Sequence, residues 1–180
     1  MKKILVLHTG GTIAMKENML TGGVSPDVAN PLLDAEITIP KHVELLVEDI
    51  FNLPSPHIMP SHMLVLKERI LSAYASGISG VVITHGTDTL EETAFFLDTT
   101  IGNKLPIVLT GAMRSSNELG SDGLYNFESA IRVASCEEAL DKGVLVVMND
   151  EIHSARYVTK THTTNVATRS EEPTSELQSH

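Results

Sequence analysis

The stretch Gly80 to Ala94, GVVITHGTDTLEETA, constrains the fold of this chain more than any other. Val81, Val82 and Ile83 form a short β-branched run behind Gly80, the pattern of a strand buried on both faces. Thr84 to Asp88 is small and polar, the composition of a tight turn. Thr89 stands three residues before Glu92, the spacing of a capping box. The pattern therefore predicts a helix starting there and continuing through Ala94, Phe95, Phe96 and Leu97. A strand, a turn and a helix start thus meet at Thr87 and Asp88. In an open α/β sheet ligands bind at such a place, because strand carboxyl ends flank a crevice and helix N-termini offer unpaired N–H groups.

The rest of the chain follows the same grammar. Lys3 to His8 is an apolar run ending in Thr9-Gly10-Gly11-Thr12, read as a first strand and a glycine-rich turn whose backbone can approach a ligand closely. Neither GxGxxG nor GxxxxGK[ST] occurs, so no dinucleotide or nucleoside-triphosphate fingerprint is present. Lys16 to Pro31 is polar and contains Gly22-Gly23, and reads as a long loop next to a strand end. Val43 to Leu53 reads as a strand, although Leu46 and Ile50 would also suit a helix; Leu53-Pro54-Ser55-Pro56 ends it. Ser61 reads as the N-cap of a helix carrying Met63, Leu64, Leu66, Ile70, Leu71 and Tyr74 at helical spacing up to Gly77. Pro106 to Leu109 reads as a strand entering the turn Thr110-Gly111-Ala112-Met113-Arg114. The polar run Ser115 to Gly123 leads into a helix through Tyr125, Phe127, Ala130, Ile131 and Ala134. Val144 to Met148 is a further strand, closed by Asn149-Asp150.

Four apolar strands alternating with three helical stretches predict an α/β fold. The expected arrangement is a mostly parallel sheet with helices on both faces, a Rossmann-like or flavodoxin-like three-layer domain. Arg169 to His180 has one apolar residue, Leu177, and reads as a disordered tail outside that fold.

Composition narrows the function. The 180 residues, 42% of them apolar, suffice for one domain with a sizeable core. A net charge of -10 with no Lys/Arg cluster argues against a nucleic-acid partner. The N-terminal MKKILVLHTGG has two lysines and four apolar residues, too few for a signal peptide or a membrane span, so no membrane partner and a cytoplasmic location are expected. The single cysteine, Cys136, falls in the apparent helix of Ile131, Val133 and Ala134 and reads as a buried structural thiol. His57 and His62 lie five apart with no third ligand nearby, so no metal is expected. His85 and His153 read as hydrogen-bonding groups within loops.

Threonine recurs at the strand ends: Thr9 and Thr12, Thr84, Thr87 and Thr89, Thr110, and the cluster Thr159 to Thr164. A threonine hydroxyl is a weak nucleophile and needs a neighbouring base. Asp88 adjoins Thr87, and Lys160 in VTKTHTT could act as a proton acceptor if burial lowered its pKa. On residue types alone, threonine nucleophiles and ordinary strand-end hydroxyls both remain open.

Six blocks in order carry a resemblance: TGGTIA at 9 to 14, THGTDTLEETA at 84 to 94, TGAMR at 110 to 114, SDG at 121 to 123, GVLVVMND at 143 to 150 and VTKTHTTNVAT at 158 to 168. Over residues 3 to 168 the chain resembles the bacterial-type L-asparaginases. The resemblance implies hydrolysis of L-asparagine, with L-glutamine as the second possible substrate, through an acyl-enzyme and without a cofactor. Thr12 matches the family's primary nucleophile, and Thr87, Asp88 and Lys160 match its second triad, with the lysine as proton acceptor. Ser55 and Asp88 match the groups that grip the α-carboxylate and α-amine. Thr87 and Ala112 match those around the reacting amide, and the turns at Gly11 and Gly86 would stabilise the oxyanion.

Two departures are visible: Lys16 to Pro31 lacks the tyrosine many relatives carry, and Pro54-Ser55-Pro56-His57 replaces the Gly-Ser-Gln-Asp of periplasmic-type relatives, a pattern that resembles the cytoplasmic branch. By the same resemblance, residues 1–168 would be an incomplete N-terminal catalytic domain with the C-terminal domain absent, in a family of homo-dimers and tetramers. The alternatives are a fragment that binds a small amino acid without turnover, and a relative of the ammonia-supplying subunit of transfer-RNA amidation.

Overall fold

The structure is a computed structural model that describes residues 1–17, 24–26, 37–160 and 169–171. Strand β1 (Lys2–His8) is followed by a short antiparallel pair, β2 (Met15–Glu17) and β3 (Val24–Pro26). Next come β4 (Val43–Asp49), α1 (Pro60–Ala75), β5 (Gly80–Thr84), α2 (Leu90–Ile101), β6 (Ile107–Thr110), α3 (Gly123–Ser135), β7 (Val144–Met148) and β8 (Glu151–Ser154). A second small antiparallel pair joins β9 (Val158–Lys160) to β10 (Arg169–Glu171). The main sheet runs β4-β1-β5-β6-β7-β8, parallel from β4 to β7, with β8 antiparallel at the edge.

The inner strands are apolar on both faces because both are covered, and the pleat sorts their residues. Leu5, Leu7, Val81, Ile83, Ile107, Leu109 and Val146 pack with Leu66 and Ile70 of α1 and Leu90, Ala94 and Leu97 of α2. Ile4, Val6, Val82, Val108, Leu145 and Val147 pack with Phe127, Ala130, Ile131 and Ala134 of α3. Each large side chain so buried stabilises the fold by about 1.5–3 kcal/mol. The result is an α/β fold with a mostly parallel sheet and helices on both faces.

Taken in chain order, the five parallel strands lie 2-1-3-4-5, the flavodoxin-like order. The order reverses between β1 and β5, so the ligand crevice belongs at their carboxyl ends. Register makes those ends level: His8 lies opposite Thr84, and Thr84 opposite Thr110. The ladder runs one residue further, with Thr9 N–H donating to the Thr84 carbonyl (3.1 Å) and His85 N–H to the Thr110 carbonyl (2.8 Å). Three turns therefore leave the sheet at one height.

Several expectations need correction. Helix α1 starts at Pro60 with Met59, not Ser61, in the N-cap position; proline suits the first helical position, and Met59 N–H donates to His62 Nδ1 at 2.9 Å. The ambiguous Val43 to Leu53 stretch is a strand only to Asp49. Part of the stretch read as a loop, Lys16 to Pro31, forms the β2–β3 pair; residues 18–23 and 27–36 lie outside the described residues. Strand β8 was not anticipated. Cys136 is exposed rather than buried, because α3 ends at Ser135 and the backbone at Cys136 is extended (φ −77°, ψ 144°). Arg169–Glu171, within the stretch read as tail, pairs with β9, and residues 172–180 lie outside the described residues.

Candidate active site

The site is built from the turns after β1, β5 and β6 and the segment after β4. Gly11 has φ +85°, a conformation open to glycine, and a Cβ placed on it would stand 2.3 Å from Gly86 Cα. The turns after β1 and β5 therefore touch backbone to backbone. Thr12, half-buried, follows Gly11 and opens a 3-10 turn to Ala14; Thr87, buried, follows Gly86.

The segment after β4 crosses above this contact because Leu53 N–H donates to the Thr9 carbonyl at 3.0 Å. It delivers Ser55, 3% exposed, to the other side of Gly86, where a Cβ would meet Ser55 Oγ at 2.6 Å. Ser55 Oγ accepts the Asp88 N–H (3.2 Å), and Thr89 Oγ1 donates to the Ser55 carbonyl (2.7 Å). Thr89 does stand in the N-cap position of α2, but its hydroxyl does not cap the helix as the sequence predicts; it holds Ser55 instead. Asp88 itself is exposed at the mouth of the turn.

The third turn carries buried Ala112 and is fastened to the start of α3. Asp122 Oδ1 accepts N–H bonds from Met113 (3.1 Å) and Arg114 (3.0 Å), and Asn126 Nδ2 donates to the Gly111 carbonyl (2.9 Å) and to Asp122 Oδ2 (3.0 Å). Gly111 lies against Thr87: a Cβ there would stand 3.2 Å from Thr87 Cγ2. The structure thus gathers Gly11, Thr12, Ser55, Gly86, Thr87, Asp88 and Ala112 at one end of the sheet. Lys160 ends β9, and its side chain lies outside the described residues.

Three supporting groups were not assigned these contacts from sequence. Asp122 and Asn126 are two; SDG before a helix was their only visible signal. The third is His85, fully buried, whose Nδ1 lies 2.7 Å from the Gly86 carbonyl and whose Nε2 lies 3.0 Å from Thr93 Oγ1. A carbonyl only accepts, so Nδ1 carries the proton, and in the neutral ring Thr93 donates to Nε2. Beneath the site His8 Nδ1 shares a 2.6 Å hydrogen bond with Thr84 Oγ1, while its buried Nε2 has no partner among the described residues. Burial pushes the His8 imidazole down to about 4, opposed in part by the charge of Asp49. The site therefore rests on an uncharged histidine. Among the described residues no group of three or more His, Cys, Asp or Glu could hold a metal ion, and no helix is long and apolar enough to cross a membrane.

Comparison with known proteins supplies the family. Residues 3–179 match the model of the asparaginase N-terminal region. The chain belongs to the asparaginase family. An L-asparaginase of Bacillus licheniformis is 39% identical over 166 residues, which are 92% of this chain and 52% of that protein. A glutaminase-asparaginase of Acinetobacter glutaminasificans is 40% identical over 162 residues, covering 87% of this chain and 49% of its own. Among solved structures, a probable cytoplasmic L-asparaginase from Campylobacter jejuni superposes with a TM-score of 0.85 at 42% identity, over 95% of this chain and 52% of that one. The chain spans about half the length of these asparaginase relatives.

Proposed function

We propose that this protein is an L-asparaginase, an amidohydrolase that converts L-asparagine into L-aspartate and ammonia. The observation that carries the reading is the contact of Gly11 with Gly86, which sets Thr12 and Thr87 one residue beyond a shared backbone junction, with Ser55 Oγ on the Asp88 N–H beside it. Family membership and the relatives' names support the same chemistry.

In this mechanism the Thr12 hydroxyl attacks the side-chain amide carbon. The tetrahedral oxyanion is held by backbone amides of the Gly11 and Gly86 turns, where fixed N–H dipoles need no reorganisation. The C–N bond then breaks, the nitrogen takes a proton and leaves as ammonia, and the acyl group stays on Thr12 as an ester. Water attacks that ester, releasing L-aspartate and restoring the hydroxyl. Lys160 accepts and returns the proton through Thr87, and Asp88 holds the amine in place. Ser55 donates to the substrate α-carboxylate while the Asp88 carboxylate binds the α-amine. The Thr87 N–H and the Ala112 carbonyl bracket the reacting amide. A cytoplasmic location and assembly into a homo-dimer or tetramer complete the proposal, and size-exclusion chromatography measures the assembly.

The test is ammonia release from L-asparagine, with L-glutamine in parallel, by the wild type and by Thr12→Ala. The variant is expected to lose about a thousandfold or more in kcat. Equal rates overturn the threonine mechanism.

A further inference from the structure

We propose that Arg156 is a positioning residue for Lys160, acting through the buried carboxylate of Asp98; the inference rests on the proton-acceptor role assigned to Lys160 above. Strand β9, which Lys160 ends, pairs with β10 and not with the main sheet, so the sheet ladder does not fix it. The turn just before it, residues 155–157, is held from α2. Asp98 lies in the last turns of α2 with its side chain 4% exposed, and a buried carboxylate requires partners. Its Oδ1 accepts the Val144 N–H at 2.9 Å, at the start of β7, and its Oδ2 accepts the Arg156 Nε–H at 2.7 Å.

One side chain thus ties together the helix that begins next to Asp88, the sheet, and the turn four residues before Lys160. Ala155 N–H donates to the Val144 carbonyl at 2.9 Å, and Val158 is buried in the same apolar layer as Leu97 and Ile101. These contacts fix where β9 starts. The Arg156 side chain is 63% exposed, so as a mere surface ion pair it would contribute little. Its hydrogen bond to a carboxylate closed off from water is of the stronger, charge-assisted kind. The same bond raises the Arg156 pKa further, so the guanidinium stays charged.

A displacement of order 1 Å at a catalytic group costs up to about a hundredfold in rate. Arg156→Gln in the full chain is therefore expected to lower kcat for L-asparagine about tenfold to a hundredfold with KM changed less than about twofold. Amide hydrogen exchange should accelerate at Val158 to Lys160 while β1 and β5 stay protected, and Arg156→Lys, which can still reach Asp98, should restore most of both. Unchanged exchange in β9, or acceleration spread over the whole sheet, overturns the proposal, and the exchange measurement decides it even if the chain shows no turnover. Lys160→Ala separates the two readings. If Lys160→Ala abolishes activity and Arg156→Gln does not reduce it, the clamp alone fails. If Lys160→Ala keeps the wild-type rate, the assigned role of Lys160 fails and the clamp with it.

Discussion

Gly11 is where the two halves of the site meet, and its side of the contact leaves no room for a methyl group. Gly11→Ala would place Cβ 2.3 Å from Gly86 Cα in a backbone already at φ +85°. A loss of about 1–3 kcal/mol is expected, read as a lower urea midpoint; a wild-type midpoint would contradict the contact. His8 gives a second prediction. Its pKa falls from 6.5 unfolded to about 4 folded, so between those values the unfolded chain binds the extra proton. Stability should then fall as pH drops from 6.5 towards 4, by about 3 kcal/mol in total from this group, and level off below. His8→Gln, which cannot titrate, should flatten that part of a stability–pH curve measured by urea unfolding. At this scale the sequence exposed residue types and left contacts hidden. Thr12, Thr87, Asp88 and Ser55 stand out as polar residues after apolar runs or prolines. That Gly11 touches Gly86, 75 positions away, depends on strand order, which neighbouring residues do not encode.

Among the elements, the two helices that begin at the site share a device. Thr89 and Asp122 both occupy N-cap positions, neither side chain caps its own helix, and each fastens a neighbouring turn. Asp122→Ala should therefore free the Met113 and Arg114 amides rather than fray α3. A loss of about 1–3 kcal/mol is expected, with faster amide exchange at Met113 and Arg114 than at Phe127; exchange rising along α3 instead would mark Asp122 as an ordinary cap. Capping residues are legible in sequence, but which amides they serve is not, because a hydroxyl or carboxylate bonds whichever donor the tertiary fold brings near. The hairpin into β8 shows the reverse case. Asn149 (φ 55°) and Asp150 (φ 64°) form the two-residue left-handed turn that such pairs favour, and the signal was present but read as a strand end. Inner strands were the easiest elements to read, because burial on both faces leaves continuous apolar runs in β1, β5, β6 and β7, with polar residues only at the ends of β1, β5 and β6.

The whole molecule carries a formal charge of -10, and that surplus opposes compaction. Raising NaCl from about 10 mM to about 0.15 M shortens the screening length from roughly 30 Å to roughly 8 Å. The thermal midpoint should rise over that range. A fall would mean that attractive pairs such as Arg69 Nε with Glu48 Oε2, 2.8 Å apart, outweigh the repulsion. Fold class was legible at this scale from the alternation of elements; strand order was not, since no local residue pattern records which strand β1 will sit between.

That order carries a consequence for synthesis. In synthesis, β1 and its glycine turn precede both strands that flank them: β4 and Leu53 follow, and the Thr84 to Gly86 side is made only about 75 positions after the turn. The nascent polypeptide therefore carries Thr12 well before Gly86 and Thr87 exist to stand beside it. Truncation before Gly86 therefore leaves a product in which the glycine turn keeps its Leu53 neighbour but lacks the Gly86 contact.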